Sequence, residues 1–214
     1  MVDIIPAIIA KDFLELKRKI RLVEPYVDWI QIDVMDGKFV HFFSFGEPKE
    51  LESLEKKLKQ EIHLMVLNPS KAIDDWLKAG ASRVIVHWES LGLNPAEQLK
   101  KIIEKTKRFK TQIGVALNPE TPWQEIKAFV KNLDLVLLMG VNPGRSGQSF
   151  REEILPKIKA LREFSANLNI EVDGGVKPEN VRKIIEAGAN ILVVGSAIFE
   201  ARDVKKAIEE LRQR

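Results

Sequence analysis

Short apolar runs rich in β-branched residues recur along the chain: IIPAII (4–9), WIQIDV (29–34), EIHLMVL (61–67), RVIVHWE (83–89), QIGVALN (112–118), LDLVLLMGV (133–141), NIEVDGG (169–175) and ILVVGSAIF (191–199). Between them lie stretches whose apolar positions repeat at intervals of three and four, among them DFLELKRKIRLVEPY, KELESLEKKLKQ, AEQLKKIIEKTKRF, FREEILPKIKALREF and DVKKAIEELRQR. The first kind predicts strands and the second amphipathic helices. Strands that are apolar nearly throughout are those of a parallel sheet covered on both faces. Eight strands alternating with eight helical segments therefore predict an α/β fold, a (β/α)₈ TIM barrel, with residues 1–214 as a single domain. An open doubly wound sheet is the weaker reading, because no GxGxxG follows the first strand. KAGASRVIV (78–86) and EAGANILVV (186–194) repeat one passage of helix, Ala-Gly turn and strand, as a fold built of like units does.

Composition narrows the classes of function. Apolar residues make up 45% of the chain, enough for a large core. Charged residues make up 30%, mostly on the predicted helix faces, and the net charge is only +3. A nucleic-acid footprint would cluster its Lys and Arg with interleaved aromatics; the charge here reads as a solvated surface, so nucleic acid is set aside as a partner. The absence of Cys removes disulfides and thiolate metal sites and suits a reducing cytoplasm. No run of about 18 apolar residues occurs, and MVDIIPAIIAKDF lacks the basic lead of a secretory signal, so a cytoplasmic protein with no membrane partner is expected. Barrels of this kind often self-associate; a homo-oligomer stays open, although no stripe identifies an interface.

In this fold the chemistry gathers at the C-terminal ends of the strands. Those ends carry Asp33 with Gln31, His63, His87 with Glu89, Asn118, Met139 with Asn142, Asp173, and Gly195 with Ser196. Two carboxylates and one or two imidazoles thus converge on one mouth. Each has a plainer explanation. A lone Asp after a strand serves equally as a helix cap or turn former, and Asp36 before Gly37 suits a turn better than a catalyst. His87 reads more readily as a hydrogen-bonded packing residue. An imidazole at His63, among apolar neighbours at a strand end, is harder to assign to packing alone. Met35, Met65 and Met139 are either core filler or a soft lid over the mouth.

A second cluster is glycine-rich. In NPGRSGQSF (142–150), Gly144 and Gly147 flank Arg145 and Ser146 just after a strand, so backbone N–H groups there can turn toward an anion. Alone the signal is weak. With Gly174 and Gly175 in VDGG and with Gly195 and Ser196 in GSAIF it outlines a phosphate cradle, since the loops after the seventh and eighth barrel strands often hold phosphate. Arg145 either adds a bidentate contact or faces solvent.

The segments DVMDGKFV, HLMVLNP, VLLMGVNPG, GQSF, LPKI, IEVDGGVKPENV and AGANILVVGSAIF, in this order, closely resemble the ribulose-phosphate 3-epimerase family over nearly the whole chain. The resemblance implies a barrel enzyme that interconverts D-ribulose 5-phosphate and D-xylulose 5-phosphate. It implies two catalytic aspartates, falling on Asp33 and Asp173, and a divalent metal (zinc, iron or manganese) whose ligands would include Asp33, His63 and Asp173. It also places a substrate-side Met lid on Met35, Met65 and Met139. Departures cluster at the supposed site. Gln31 stands where the family has a His ligand, a weaker donor for zinc-type metals. Ala7 and Ala10 stand in place of serines, His41-Phe42 in place of Pro-Asn, and Arg145-Ser146 in place of Phe-Gly.

The chemistry can be argued from the residues as well. Inverting a carbon beside a carbonyl needs one base and one acid on opposite faces, and two aspartates from distant strands can flank a planar intermediate. Two rivals remain. A Schiff-base aldolase would need a Lys at a strand end, and none of the eight carries one. A non-catalytic phosphosugar binder would have no need of two opposed acids.

Overall fold

The computed structural model describes residues 2–52, 54, 57–144 and 147–213. Eight parallel strands close in chain order into a barrel: β1 (Asp3–Ile8), β2 (Trp29–Met35), β3 (Lys59–Met65), β4 (Arg83–His87), β5 (Gln112–Leu117), β6 (Leu135–Met139), β7 (Asn169–Asp173) and β8 (Ile191–Val194), with β8 pairing back to β1. Around it run α1 (Phe13–Val23), α2 (Pro48–Glu52), α3 (Ile73–Lys78), α4 (Pro95–Phe109), α5 (Leu155–Phe164), α6 (Pro178–Ala187), α7 (Ser196–Phe199) and α8 (Val204–Arg212).

Local sequence explains where the helices begin and end. Asp12 caps α1 by accepting the Glu15 N–H at 2.8 Å, and Asp203 caps α8 by accepting the Lys206 N–H at 3.1 Å. Gly188 closes α6 at a φ of 119°, a left-handed stop that glycine adopts without a Cβ penalty.

Two expectations change. The β5–β6 crossover holds no α-helix but two 3₁₀ turns, Trp123–Ile126 and Val130–Asn132. Its buried side chains Trp123, Ile126 and Phe129 recur every third residue, which lines up on a 3₁₀ face and drifts around an α-helix. The run 191–199 is also not one strand. It stops at Val194, and the Gly195 carbonyl accepts from Ile198 N–H at 3.0 Å and Phe199 N–H at 3.1 Å, turning the apolar tail into α7.

The strands are buried on both sides, and the apolar residues separate into two layers. Outward side chains such as Ile30, Ile32, Ile62, Leu64, Val84 and Val172 join the helices in the larger cluster. Inward ones such as Ile5, Ile85, Leu135, Leu137 and Val193 fill the barrel. Full burial of each large aliphatic side chain contributes about 1.5–3 kcal/mol, so the barrel forms a stiff ring on which polar side chains can be held. Among the described residues no helix is long and apolar enough to cross a membrane.

Candidate active site at the barrel mouth

Pairing register assembles the polar group. Asp33 on β2 lies opposite His63 on β3, and Met139 on β6 lies opposite Asp173 on β7. The end of β2 is fastened by Ser44, whose Oγ donates to the Asp33 carbonyl at 2.5 Å and accepts from the Met35 N–H at 2.9 Å. Ser44→Ala is expected to lower stability by about 1 kcal/mol in a urea titration, the usual worth of such a bond. An unchanged midpoint would mean that the strand end holds itself.

Gln31, two residues before Asp33 on the same inward face, sits at the centre. Its Nε2 donates to Asp33 Oδ1 and to Asp173 Oδ2, each at 2.8 Å, and lies 3.3 Å from His63 Nδ1. His63 Nδ1 is 3.0 Å from Asp33 Oδ1 and 3.4 Å from Asp173 Oδ2. On the other side of the ring, His63 Nε2 meets His87 Nε2 at 2.8 Å. His87 Nδ1 faces Glu89 Oε2 at 3.5 Å, and Glu89 accepts from the Asn118 N–H at 2.7 Å and from the Thr121 hydroxyl.

The electrostatics give this chain of groups a direction. Burial pushes the Asp33 carboxyl above its ordinary range, the charge of Asp173 adds to this, and the His63 hydrogen bond opposes it. Burial also works against a charged His63, yet its hydrogen bonds to Asp173 and Asp33 and their charges outweigh that and lift it to about 10. Burial lowers His87 to about 4. A protonated His63 therefore donates from Nδ1 to Asp33 and from Nε2 to a neutral His87, whose own N–H faces Glu89.

One layer deeper, the inward positions two residues before His63 and Asp173 are Glu61 and Glu171, both fully buried. Arg83 Nη1 lies 2.7 Å from Glu61 Oε2 and 3.6 Å from Glu171 Oε2, and the guanidinium stands 4.2 Å from the Trp29 ring centroid. Burial raises Glu61 to about 7 and, with the charge of Glu61 beside it, lifts Glu171 well above its ordinary range. This platform lies below the strand ends and has no counterpart among the predicted site residues. Its signal was a charged residue at each inward position inside an apolar strand.

Above the acids opens a pocket of about 290 Å³ lined by Asp33 and Asp173, Met65 and Met139, and the glycines Gly144, Gly147, Gly174, Gly175 and Gly195 with Ser196. Gly174 and Gly175 turn the chain away from Asp173 at φ of 101° and 69°, and a Cβ at Gly175 would stand 2.5 Å from the Phe150 backbone nitrogen. Of the predicted site residues, Met35 and His63 do not line the pocket. Met35 packs with Met65 and Val40, and His63 is buried beneath the two acids. Arg145 and Ser146 lie outside the described residues. His41 is exposed in its loop, Asp36 accepts three backbone N–H groups (Lys38, Phe39, Leu67) as a turn former, and His87 both packs against Phe39 and bonds to His63. Lys19 of α1 also lines the pocket and was not anticipated, because in sequence it reads as a polar helix position.

The residues present fit a divalent cation. One atom from each of Asp33, His63 and Asp173 lies within 4.8 Å of the others. Gln31 Oε1 is buried without a hydrogen-bond partner, so the amide carries an unused oxygen at the heart of the group. Turned about its last bond, it would present that oxygen to the two carboxylates, which is favourable only with a cation between them. Two carboxylates, an imidazole and an amide oxygen form a harder set than one with a second imidazole.

The chain is similar to known proteins over nearly its whole length. The model of the family described as "Ribulose-phosphate 3 epimerase family" matches residues 3–199. The chain is 42% identical to a ribulose-phosphate 3-epimerase of Bacillus subtilis, covering 99% of each chain, and 40% identical to one from Synechocystis, covering 97% of this chain and 91% of that one. Among solved structures, KGPDC from Streptococcus mutans superposes with a TM-score of 0.75 over 99% of this chain and 96% of that one at 16% identity, a likeness of fold.

Proposed function

The chain belongs to the ribulose-phosphate 3-epimerase family, and on that premise we propose that it inverts C3 of D-ribulose 5-phosphate to give D-xylulose 5-phosphate by two-aspartate proton transfer through an enediolate. The observation that carries this reading is the convergence of Asp33 and Asp173, from strands β2 and β7, on one pocket and on one amide nitrogen at 2.8 Å. A binding protein gains nothing from holding two acids so close at the cost of their mutual repulsion.

Each carboxylate commits one oxygen to Gln31, Oδ1 of Asp33 and Oδ2 of Asp173. The second oxygen of each is then available for proton transfer. Asp33, raised by burial, holds the proton given to one face of C3, and Asp173 removes the proton from the other; the roles exchange in the reverse direction. With the Gln31 amide turned so that its oxygen takes the place of its N–H groups, Asp33, His63, Asp173 and that oxygen would hold a divalent cation, which would supply several kcal/mol of charge stabilisation to the enediolate oxygens. His63 contacts Asp33 and stays below the pocket floor, so it acts by orienting that carboxyl. Met65 and Met139 exclude water beside the reacting carbon, and the loops at Gly174, Gly175, Gly195 and Ser196 take the phosphate with backbone N–H groups.

The test is an epimerase assay on D-ribulose 5-phosphate, with and without chelator, alongside metal analysis of the purified protein. Turnover that falls on chelation and returns with zinc, iron or manganese is the expected result. Undiminished turnover in metal-free protein removes the cation from the scheme. Sugar-phosphate binding without any turnover makes the protein a sensor.

A further inference from the structure

We propose that Lys19, on α1, is the charged contact for the substrate's phosphate at the Gly195–Ser196 end of the pocket. This rests on the pocket being a ketose-phosphate site and assigns it a binding residue. Among the described residues lining the pocket, Lys19 is the only Lys or Arg, whereas Asp33, Asp173 and Glu200 bring acids to the same walls. A phosphomonoester carries about 1.5 to 2 negative charges at neutral pH, and backbone N–H groups offer only partial positive charge against it.

The ammonium group is placed for this. Nζ donates to the Ile9 carbonyl at 2.7 Å and lies 3.0 Å from Glu15 Oε1, while Glu15 Oε2 accepts from the Lys11 N–H at 3.0 Å. The hydrogen bond from Lys11 and the pairing with Lys19 hold the Glu15 carboxyl below its ordinary range, so the anchor stays charged. Nζ stands 5.7 Å from the Phe199 ring centroid, against α7, whose first turn follows Gly195 and Ser196. An ammonium has three N–H donors, and two are taken, leaving one for a ligand. The side chain is only 19% exposed, so it is held in position. A helix-surface pair at this spacing needs neither the bond to a loop carbonyl nor a place in the pocket wall. The binding entropy of a long flexible side chain has already been met by folding. Ala7, also in the wall, offers no hydroxyl, which leaves more of the anion's stabilisation to Lys19.

The experiment compares Lys19→Met and Lys19→Gln, which remove the charge and keep most of the stem, with Lys19→Arg, which keeps both. KM for D-ribulose 5-phosphate and the inhibition constant of inorganic phosphate are each expected to rise about tenfold or more in both neutral variants, with a smaller loss in kcat, and to recover largely in the Arg variant. The dependence of KM on ionic strength should flatten when the charge is gone. Unchanged values of both constants in a neutral variant that folds by circular dichroism would overturn the assignment while leaving the epimerase reading intact. Should the wild-type protein prove inactive on the ketose phosphate, phosphate titration followed by ³¹P NMR still decides. Weaker binding in the neutral variants supports Lys19, and equal binding removes it.

Discussion

Asp173→Asn is expected to abolish exchange of the substrate's C3 proton with solvent while phosphate affinity stays within a few-fold of wild type. The substitution exchanges an oxygen for an amide nitrogen of nearly the same size, and the new side chain keeps a carbonyl oxygen for the Gln31 N–H that Asp173 meets at 2.8 Å. The packing around β7 therefore has little reason to shift. What disappears is the carboxylate proposed to take up the proton from that face of C3. General acid–base catalysis by one positioned group is worth about 10² to 10⁴ in rate, and with its partner unable to act on both faces the loss belongs at the upper end. Phosphate affinity is expected to survive because the groups proposed to take the phosphate, Gly195, Ser196 and Lys19 among them, are unaltered. Deuterium incorporation at C3, followed by NMR in D₂O, reads the chemical step directly. Exchange at the wild-type rate in this variant would take Asp173 out of the mechanism.

The second expected effect concerns Gln31. Gln31→His should tighten zinc binding by roughly a hundredfold, read by competition with a fluorescent chelator, because changes merely outside a metal's coordination shell already reach 10- to 100-fold. The physical reason lies in what the amide does now. Its N–H groups satisfy Asp33 and Asp173 from the position between them, so a cation must displace two hydrogen bonds of 2.8 Å and turn the amide before its oxygen can serve. It must also replace the proton on His63 Nδ1. An imidazole at position 31 offers a nitrogen that borderline-soft ions prefer, and it lacks the paired amide donors that now occupy the gap. Equal affinities in the two proteins would show that position 31 does not face the ion.

The legible part of the site was the part written in local pattern. Asp173 ends its apolar strand, and Asp33 and His63 each lie two residues before the end of theirs; in a barrel these ends meet at one rim, so their convergence follows once the fold is recognised. Gly174 and Gly175 after β7 were legible for a related reason: a chain reversing away from an acid at positive φ needs residues without a Cβ. Met65 and Met139 were found at the pocket, while Met35, two residues beyond Asp33 at the end of β2, packs against Met65 and Val40.

What stayed hidden depends on distances between elements far apart in sequence. His87 looks like a core histidine until its Nε2 is seen 2.8 Å from that of His63. Glu61, Arg83 and Glu171 belong to three strands, and only closure of the barrel brings one guanidinium between two carboxylates. Lys19 lies on a helix whose polar face ordinarily meets water, and the Ile9 carbonyl and the Phe199 ring of α7 hold it beside the pocket.

Periodicity and strand-end chemistry by themselves determined the barrel, the rim and the two acids, because an alternation of apolar runs and amphipathic stretches of this length has few ways to bury itself. The crossover after β5, the end of β8, the Gln31 bridge between the acids and the charge state of His63 were decided by tertiary structure alone. Each depends on which surface, or which buried charge, another part of the chain presents within a few ångströms, and hydrogen bonding and desolvation act at that range whatever the separation in sequence.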